Sequence, residues 1–152
     1  MTTQSETTEV ERLRNELDRE HEMYLRALAD FDNYRRRIDQ ERAVVAQRGK
    51  RDLLLSLLEL LDSFDRAMAL MDESSTASEG VRVVHRQLES LLNAQNVTPF
   101  ESVGETFDPQ IHEAVSSEPS DQFKPGTVTH EDRRGYRWGG GLLRPARVRV
   151  AR

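Results

Sequence analysis

The sequence predicts an α+β fold: a long N-terminal coiled-coil helix, a short helical hairpin forming a four-helix bundle in the dimer, and a small C-terminal all-β domain. Three observations carry this expectation. All five prolines lie at or after Pro99, and only Gly49 and Gly80 punctuate the 98 residues before it. Proline costs about 3 kcal/mol inside a helix, so that stretch is free to form long ones. Apolar residues recur every seven positions at Val10, Leu17, Tyr24, Phe31, Ile38 and Val45. The last 54 residues hold six of the eight glycines and alternate over short runs, as strands and turns do.

Taken in order, residues 1–9 are polar and acidic, and a disordered tail without secretory-signal character is expected there. Residues 10–98 form the dimerisation region. Its seven-residue line is flanked three or four positions on by Leu13, Ala27, Leu28 and Tyr34, the signature of a left-handed coiled coil. Glu20, His21, Glu41 and Arg42 interrupt the second line, so loose pairing with a helix of another copy is expected. Leu54, Leu57, Leu61, Phe64, Met68 and Met71 then follow at helical spacing, widened by Leu53, Leu58 and Leu60. Apolar faces this wide are buried in bundles. The first helix is expected from about Glu9 to Met71, provided Gly49 is tolerated at a cost of about 1 kcal/mol. The run from Asp72 to Glu79 reads as a polar break. Val81, Val84, Leu88 and Leu91 mark a second, shorter helix ending near Asn93 to Asn96. Residues 99–152 form the β domain. Thr127–Thr129 and Tyr136–Trp138 read as strands around a turn at Gly135, Gly139–Gly141 as a hairpin connection, and Arg147–Val150 as a half-buried strand. A β module this small has little core of its own and is expected to lean on the bundle.

Composition narrows the function. The chain of 152 residues is 32% charged and 36% hydrophobic, with a net charge of −5. The absence of cysteine removes disulfides, thiolate metal sites and cysteine nucleophiles. No run approaches the roughly 20 apolar residues needed to span a bilayer. A soluble, cytoplasmic protein is therefore expected, with no membrane partner. Seven arginines and no acid lie between Arg133 and Arg152, leaving the rest of the chain at −12. Such polarity points to different partners at the two ends. His21, His85, His112 and His130 lack metal-ligand spacing, and His112-Glu113 lacks the second histidine of a zinc-protease helix. The glycine triplet has no P-loop lysine, and no serine sits in a nucleophile elbow. Catalytic residues, metal and cofactor are all expected to be none, and the chain is not read as an enzyme. The triplet Arg35-Arg36-Arg37 admits three readings. It is a solvated face with local ion pairs, a docking patch for an acidic protein surface, or a nucleic-acid contact opposed by neighbouring Asp30, Asp32, Asp39 and Glu41.

Longer strings say more. ALADFDNYRRRIDQER followed by LLLSLLELLDSFDRAM, and then FDPQIHEAV, PGTV, GYRW and LLRPARVRVA, resemble the hallmark segments of the GrpE family over Ala27 to Ala151. Members of that family are nucleotide exchange factors, co-chaperones of DnaK-type chaperones in protein folding and the stress response. The resemblance implies a parallel homodimer whose β domain binds the chaperone's ATPase domain and holds its nucleotide cleft open. It implies partner contacts at Arg35 and Arg36 on the long helix and at Phe107, Pro109, Arg144 and Val150 on the β domain. Gly80, Gly135 and Tyr136 become structural positions, and nucleic acid is not a partner. Two departures stand out. Gly141 occupies a position where the family commonly has arginine, and Ser116-Ser117 replaces a more apolar stretch. The competing reading is a coiled-coil adaptor binding polymerase or nucleic acid, which would not share the four-part string match.

Overall fold

The computed structural model describes residues 2–71 and 76–152, with side chains from residues 7–71 and 78–152. Helix α1 spans Thr2–Leu70 and α2 spans Thr76–Ala94. Six strands follow: β1 (Val97–Phe100), β2 (His112–Glu118), β3 (Val128–Arg133), β4 (Gly135–Trp138), β5 (Gly141–Arg144) and β6 (Ala146–Ala151). The chain divides into two compact units, Met1–Gly49 and Lys50–Arg152.

The first unit is a single helix from Thr2 onward. Extending an existing helix adds a hydrogen bond for each residue ordered, whereas starting one is costly. No proline opposes the extension. The coiled-coil line stands open in the single chain: Val10, Leu17, Tyr24, Phe31 and Val45 are all exposed, Leu17 at 68%. At Gly49 a Cβ would meet nothing within 4 Å, so the glycine is tolerated in the helix without being required by packing.

In the second unit, α1 ends with a tightened turn in which the Met71 amide donates to the Met68 carbonyl at 3.3 Å. The expected polar break is shorter than its sequence run, because α2 resumes at Thr76; residues 72–75 lie outside the described chain. Helix α2 closes on Asn96, whose φ of 60° is left-handed. Asparagine tolerates that conformation better than most residues. Its amide donates to the Asn93 carbonyl at 2.9 Å, and its own carbonyl accepts from the Gly139 amide at 3.1 Å. The cap thus ties the helix to the β4–β5 turn. Gly139 and Gly140 form that turn with φ of 56° and 85°, the two positive values that a two-residue hairpin requires.

Two three-stranded sheets make the β domain, ordered β1-β4-β5 and β2-β6-β3. The first is antiparallel throughout. In the second, β6 pairs parallel with β2 and antiparallel with β3. Pro145 separates β5 from β6, a residue that cannot continue a ladder and so suits a change of sheet. Strands β1 and β2 were not legible in the sequence, and β3 and β4 belong to different sheets. Gly135 is therefore no turn. It opens β4, buried, where a Cβ would run into the Phe100 ring (Cε1 at 2.6 Å) and the Ala146 amide nitrogen at 2.8 Å.

The main core joins helix to sheet. Leu54, Leu58 and Leu61 of α1 and Leu92 of α2 pack with Val97, Tyr136 and Leu143, flanked by Leu55, Leu57, Leu88 and Trp138. Leu58 is 0% exposed, although the sequence pattern makes it only a widening residue. Leu53, Leu60 and Leu91 remain exposed. A smaller cluster of Val128, Ala146 and Val148, with Phe100, Phe107 and Val150 against it, fills the space at the second sheet.

Gly135→Ala is expected to destabilise the protein by about 1–3 kcal/mol, because backbone and ring must move to admit a methyl group. At Gly80 a Cβ meets nothing within 4 Å, so Gly80→Ala should gain up to about 1 kcal/mol of helix propensity. Urea denaturation of the two variants beside the parent checks both signs. A loss at Gly80 would mean that another copy approaches it closely.

Candidate partner-binding site

The six contact positions implied by the resemblance fall into three environments. Arg35 and Arg36 are exposed on the first unit. Arg35 lies 3.7 Å from Asp32 and Arg37 lies 3.9 Å from Glu41, with the Arg37 guanidinium 5.5 Å from the Tyr34 ring centre. Local ion pairs of the kind the solvated-face reading expects are present at Arg35 and Arg37. Arg36 has no such bond among the described residues. On the second unit Pro109 is exposed, while Phe107 and Val150 are half-buried against the small core.

Arg144 is the exception. It is only 5% exposed, so it is no surface contact. Its fork donates to both Asp62 carboxylate oxygens, Nη1 to Oδ2 at 2.7 Å and Nη2 to Oδ1 at 2.8 Å. Nη2 also donates to the Arg134 carbonyl at 2.9 Å, and the guanidinium sits 5.4 Å from the Tyr136 ring centre. Bidentate pairing of this kind fixes geometry as well as charge. Three turns earlier on α1, Arg51 donates to the carbonyls of Leu142 at 3.1 Å and Leu143 at 2.7 Å. Asp62 and Arg51 carry no signal of these roles in the sequence, since their partners lie 82 and 91–92 residues away. Tyr136 lies in the main core, under the Arg144 guanidinium. Gly141 is exposed, and a Cβ there would meet only the Trp138 carbonyl at 3.7 Å, so a side chain fits.

The outer face of the second sheet carries its own ion network. Arg149 donates to Asp132 at 2.7 Å and lies 3.7 Å from Glu118, whose carboxylate accepts from the Thr129 hydroxyl at 2.6 Å. The hydrogen bond from Arg149 holds the Asp132 carboxyl below its ordinary range.

Two of the histidines have defined surroundings. His85 faces Asp65 with Nε2 at 2.8 Å and Glu89 with Nδ1 at 3.5 Å, which occupies both ring nitrogens. His112 is buried, tilted against Phe100 and Phe107. Its Nδ1 accepts the Asp108 amide at 3.1 Å, so Nε2 carries the proton, buried and without a partner. Among the described residues no group of three His, Asp or Glu is placed to hold a metal ion, and no helix is long and apolar enough to cross a membrane.

The first unit thus carries an open apolar helix line, and the β domain of the second has exposed cationic and apolar positions. The comparisons name the family. The family model GrpE matches residues 1–152, beyond the Ala27 to Ala151 span of the string resemblance. The chain is 36% identical over 149 residues to the protein named GrpE of Trichormus variabilis, covering 95% of this chain and 60% of that one. It is 35% identical over 147 residues to that of Oceanobacillus iheyensis, covering 95% and 77%. For the Bdellovibrio bacteriovorus protein the figures are 34% over 148 residues, 95% and 86%. This chain belongs to the GrpE family. It spans only 60% of the length of its Trichormus and Nostoc relatives.

Two measurements test the site's framework. Asp62→Ala leaves the Arg144 charge buried and unpaired and should cost about 3–5 kcal/mol, whereas replacing the pair together by Asp62→Leu and Arg144→Met should cost far less. Urea titrations of the two variants decide this. Burial pushes the Tyr136 phenol above its ordinary 10.0, with Arg134 and Arg144 opposing and Asp65 and Asp62 adding. Its contribution is complete below the unfolded value and is lost as pH rises through the folded one, since the unfolded chain releases the proton first. Stability should therefore fall above about pH 10, and Tyr136→Phe should remove that component.

Proposed function

We propose that this chain is a nucleotide exchange factor that binds the ATPase domain of a DnaK-type chaperone, opens its nucleotide cleft and accelerates ADP release. The observation that carries the reading is the family match along the whole chain. The protein acts in the cytoplasm, in protein folding and the stress response, as a homodimer and as a binding protein rather than an enzyme. Neither nucleic acid nor membrane is a partner. The exposed heptad line on α1 supports the homodimer, because a helix with a long apolar stripe and no second layer buries it against another copy. Leu53, Leu60 and Leu91, also exposed, are among the hairpin residues that a four-helix bundle would cover.

No catalytic group is needed. A protein that binds the open-cleft chaperone better than the closed one shifts its population toward the open form. Opening removes contacts to ADP. A thousandfold acceleration corresponds to about 4 kcal/mol of barrier lowering. Linkage makes the coupling reciprocal, so a nucleotide that favours the closed cleft weakens binding of the exchange factor. ATP should therefore dissociate the complex. Arg35 and Arg36 serve as helix contacts, and Pro109 with the exposed parts of Phe107 and Val150 as β-domain contacts. Arg144 supports that surface from inside.

The test is release of a fluorescent ADP analogue from a DnaK-type chaperone, with and without this protein. Acceleration is expected, reduced about tenfold by joint replacement of Arg35 and Arg36 with alanine, a loss of about 1.4 kcal/mol. Gly141→Arg, for which there is room, should strengthen the effect by restoring the family's charged contact. A folded dimer that accelerates release from no DnaK-type chaperone overturns the proposal.

A further inference from the structure

We infer that Asp62 and Arg51 are positioning residues that hold the β domain in one orientation on the 50–70 stem of α1, and that exchange depends on them. The inference rests on the exchange-factor reading for its functional half. Strand β5 is an edge strand, and three of its four residues are tied to α1. Arg51 donates to the carbonyls of Leu142 and Leu143 in its middle. At its C-terminal end, Arg144 reaches Asp62 through two parallel bonds. Eleven residues make about three helical turns, so Arg51 and Asp62 lie on one face of the helix. Leu54, Leu58 and Leu61 lie between them along the chain, buried against Leu143 and Tyr136.

The two kinds of contact do different work. Apolar burial is non-directional, so leucines against a short sheet favour contact without selecting one angle. A guanidinium fork on a carboxylate has a fixed plane and fixed distances. Buried pairs are weak contributors to net stability, since apolar replacements of similar size often do as well. What this pair adds is a single register. The Arg134 carbonyl and the Tyr136 ring hold the guanidinium from the β-domain side, so it cannot turn with the helix alone. A cleft is opened by differential binding only if the binder resists the strain. A β domain that swings on its stem would bind open and closed clefts alike, and a ligand without preference shifts nothing.

The chain has no cysteine, so spin labels are placed by Ala67→Cys on the stem and Gln122→Cys in the loop before β3. Labelled full-length protein is diluted with unlabelled protein, and the distance distribution is read by pulsed dipolar spectroscopy. Asp62→Asn should broaden the distribution while Trp138 fluorescence reports a folded domain, and Asp62→Glu, which keeps the carboxylate, should narrow it again. In the ADP-release assay the maximal acceleration should fall about tenfold with little change in the half-saturating concentration. A merely structural role would instead lower the active fraction, shifting the concentration dependence and leaving the maximum. Should Asp62→Asn unfold, Arg51→Gln loosens the other tie without leaving a buried charge and should broaden the distribution in the same way. A folded variant whose distribution matches the parent's overturns the inference. A parent that fails to accelerate ADP release defeats the exchange reading alone, because the distances are measured without the chaperone.

Discussion

Six strands of four to seven residues cannot enclose much apolar volume, and the rest of the second unit follows from how that shortage is met. The cluster at the second sheet has three buried members, Val128, Ala146 and Val148. The larger cluster is completed by Leu54, Leu58, Leu61 and Leu92, all from helices. Each fully buried leucine is worth about 1.5–3 kcal/mol. Domains of this size have a net stability of about 5–15 kcal/mol, so the β domain depends on the helix face beneath it. The helix in turn places Asp62 and Arg51 beside that face. The leucines that let the β domain fold and the polar residues proposed to orient it thus belong to the same stretch of α1.

This dependence explains which features the sequence made legible. The heptad line from Val10 to Val45 and the leucine-rich run after Leu53 announce themselves because helical periodicity survives over many turns. Arg147–Val150 was readable as a strand for the same reason at period two, and β6 buries Val148 as that pattern requires. Strand β2 was not. Glu113, Ser116 and Ser117 are poor strand formers, a register shift falls between Ala114 and Ser116, and five of its residues are exposed. Its place comes from parallel pairing with β6, a tertiary contact that no local pattern encodes. Gly135 misleads in the opposite way. Glycine usually signals a turn, but here the missing Cβ makes room for Phe100 and the Ala146 backbone.

The candidate site divides along the same line. Arg35, Arg36 and Pro109 are as exposed as a contact must be. Arg144 sits in a string, LLRPARVRVA, whose alternating arginines invite a surface reading. Arg147 is exposed and Arg149 half-buried on the outer side of the strand. Three residues earlier, in another sheet, the same residue type is buried, and the cause is one carboxylate on α1. Side-chain chemistry was visible in the sequence, but partnership across 82 residues was not. String similarity transfers a residue's importance more readily than its reason.

The two units differ in what completes them. The second draws its core from within its own chain. Among its described residues the first has no second layer. Its ion pairs at three- and four-residue spacing, such as Arg12 with Glu9 and Glu16, are each worth about 0.3–0.5 kcal/mol. That is too little to offset the exposure of Tyr24, Phe31 and the other apolar side chains along one stripe. Only another copy of the helix supplies the missing layer in the proposed dimer, which makes the order of the first unit depend on protein concentration. The interruptions at Glu20, His21, Glu41 and Arg42 then weaken pairing where it is the sole support. Loss of helix pairing and loss of the β domain's fixed orientation are therefore separable failures, one governed by association and the other by the bonds at Arg51 and Asp62.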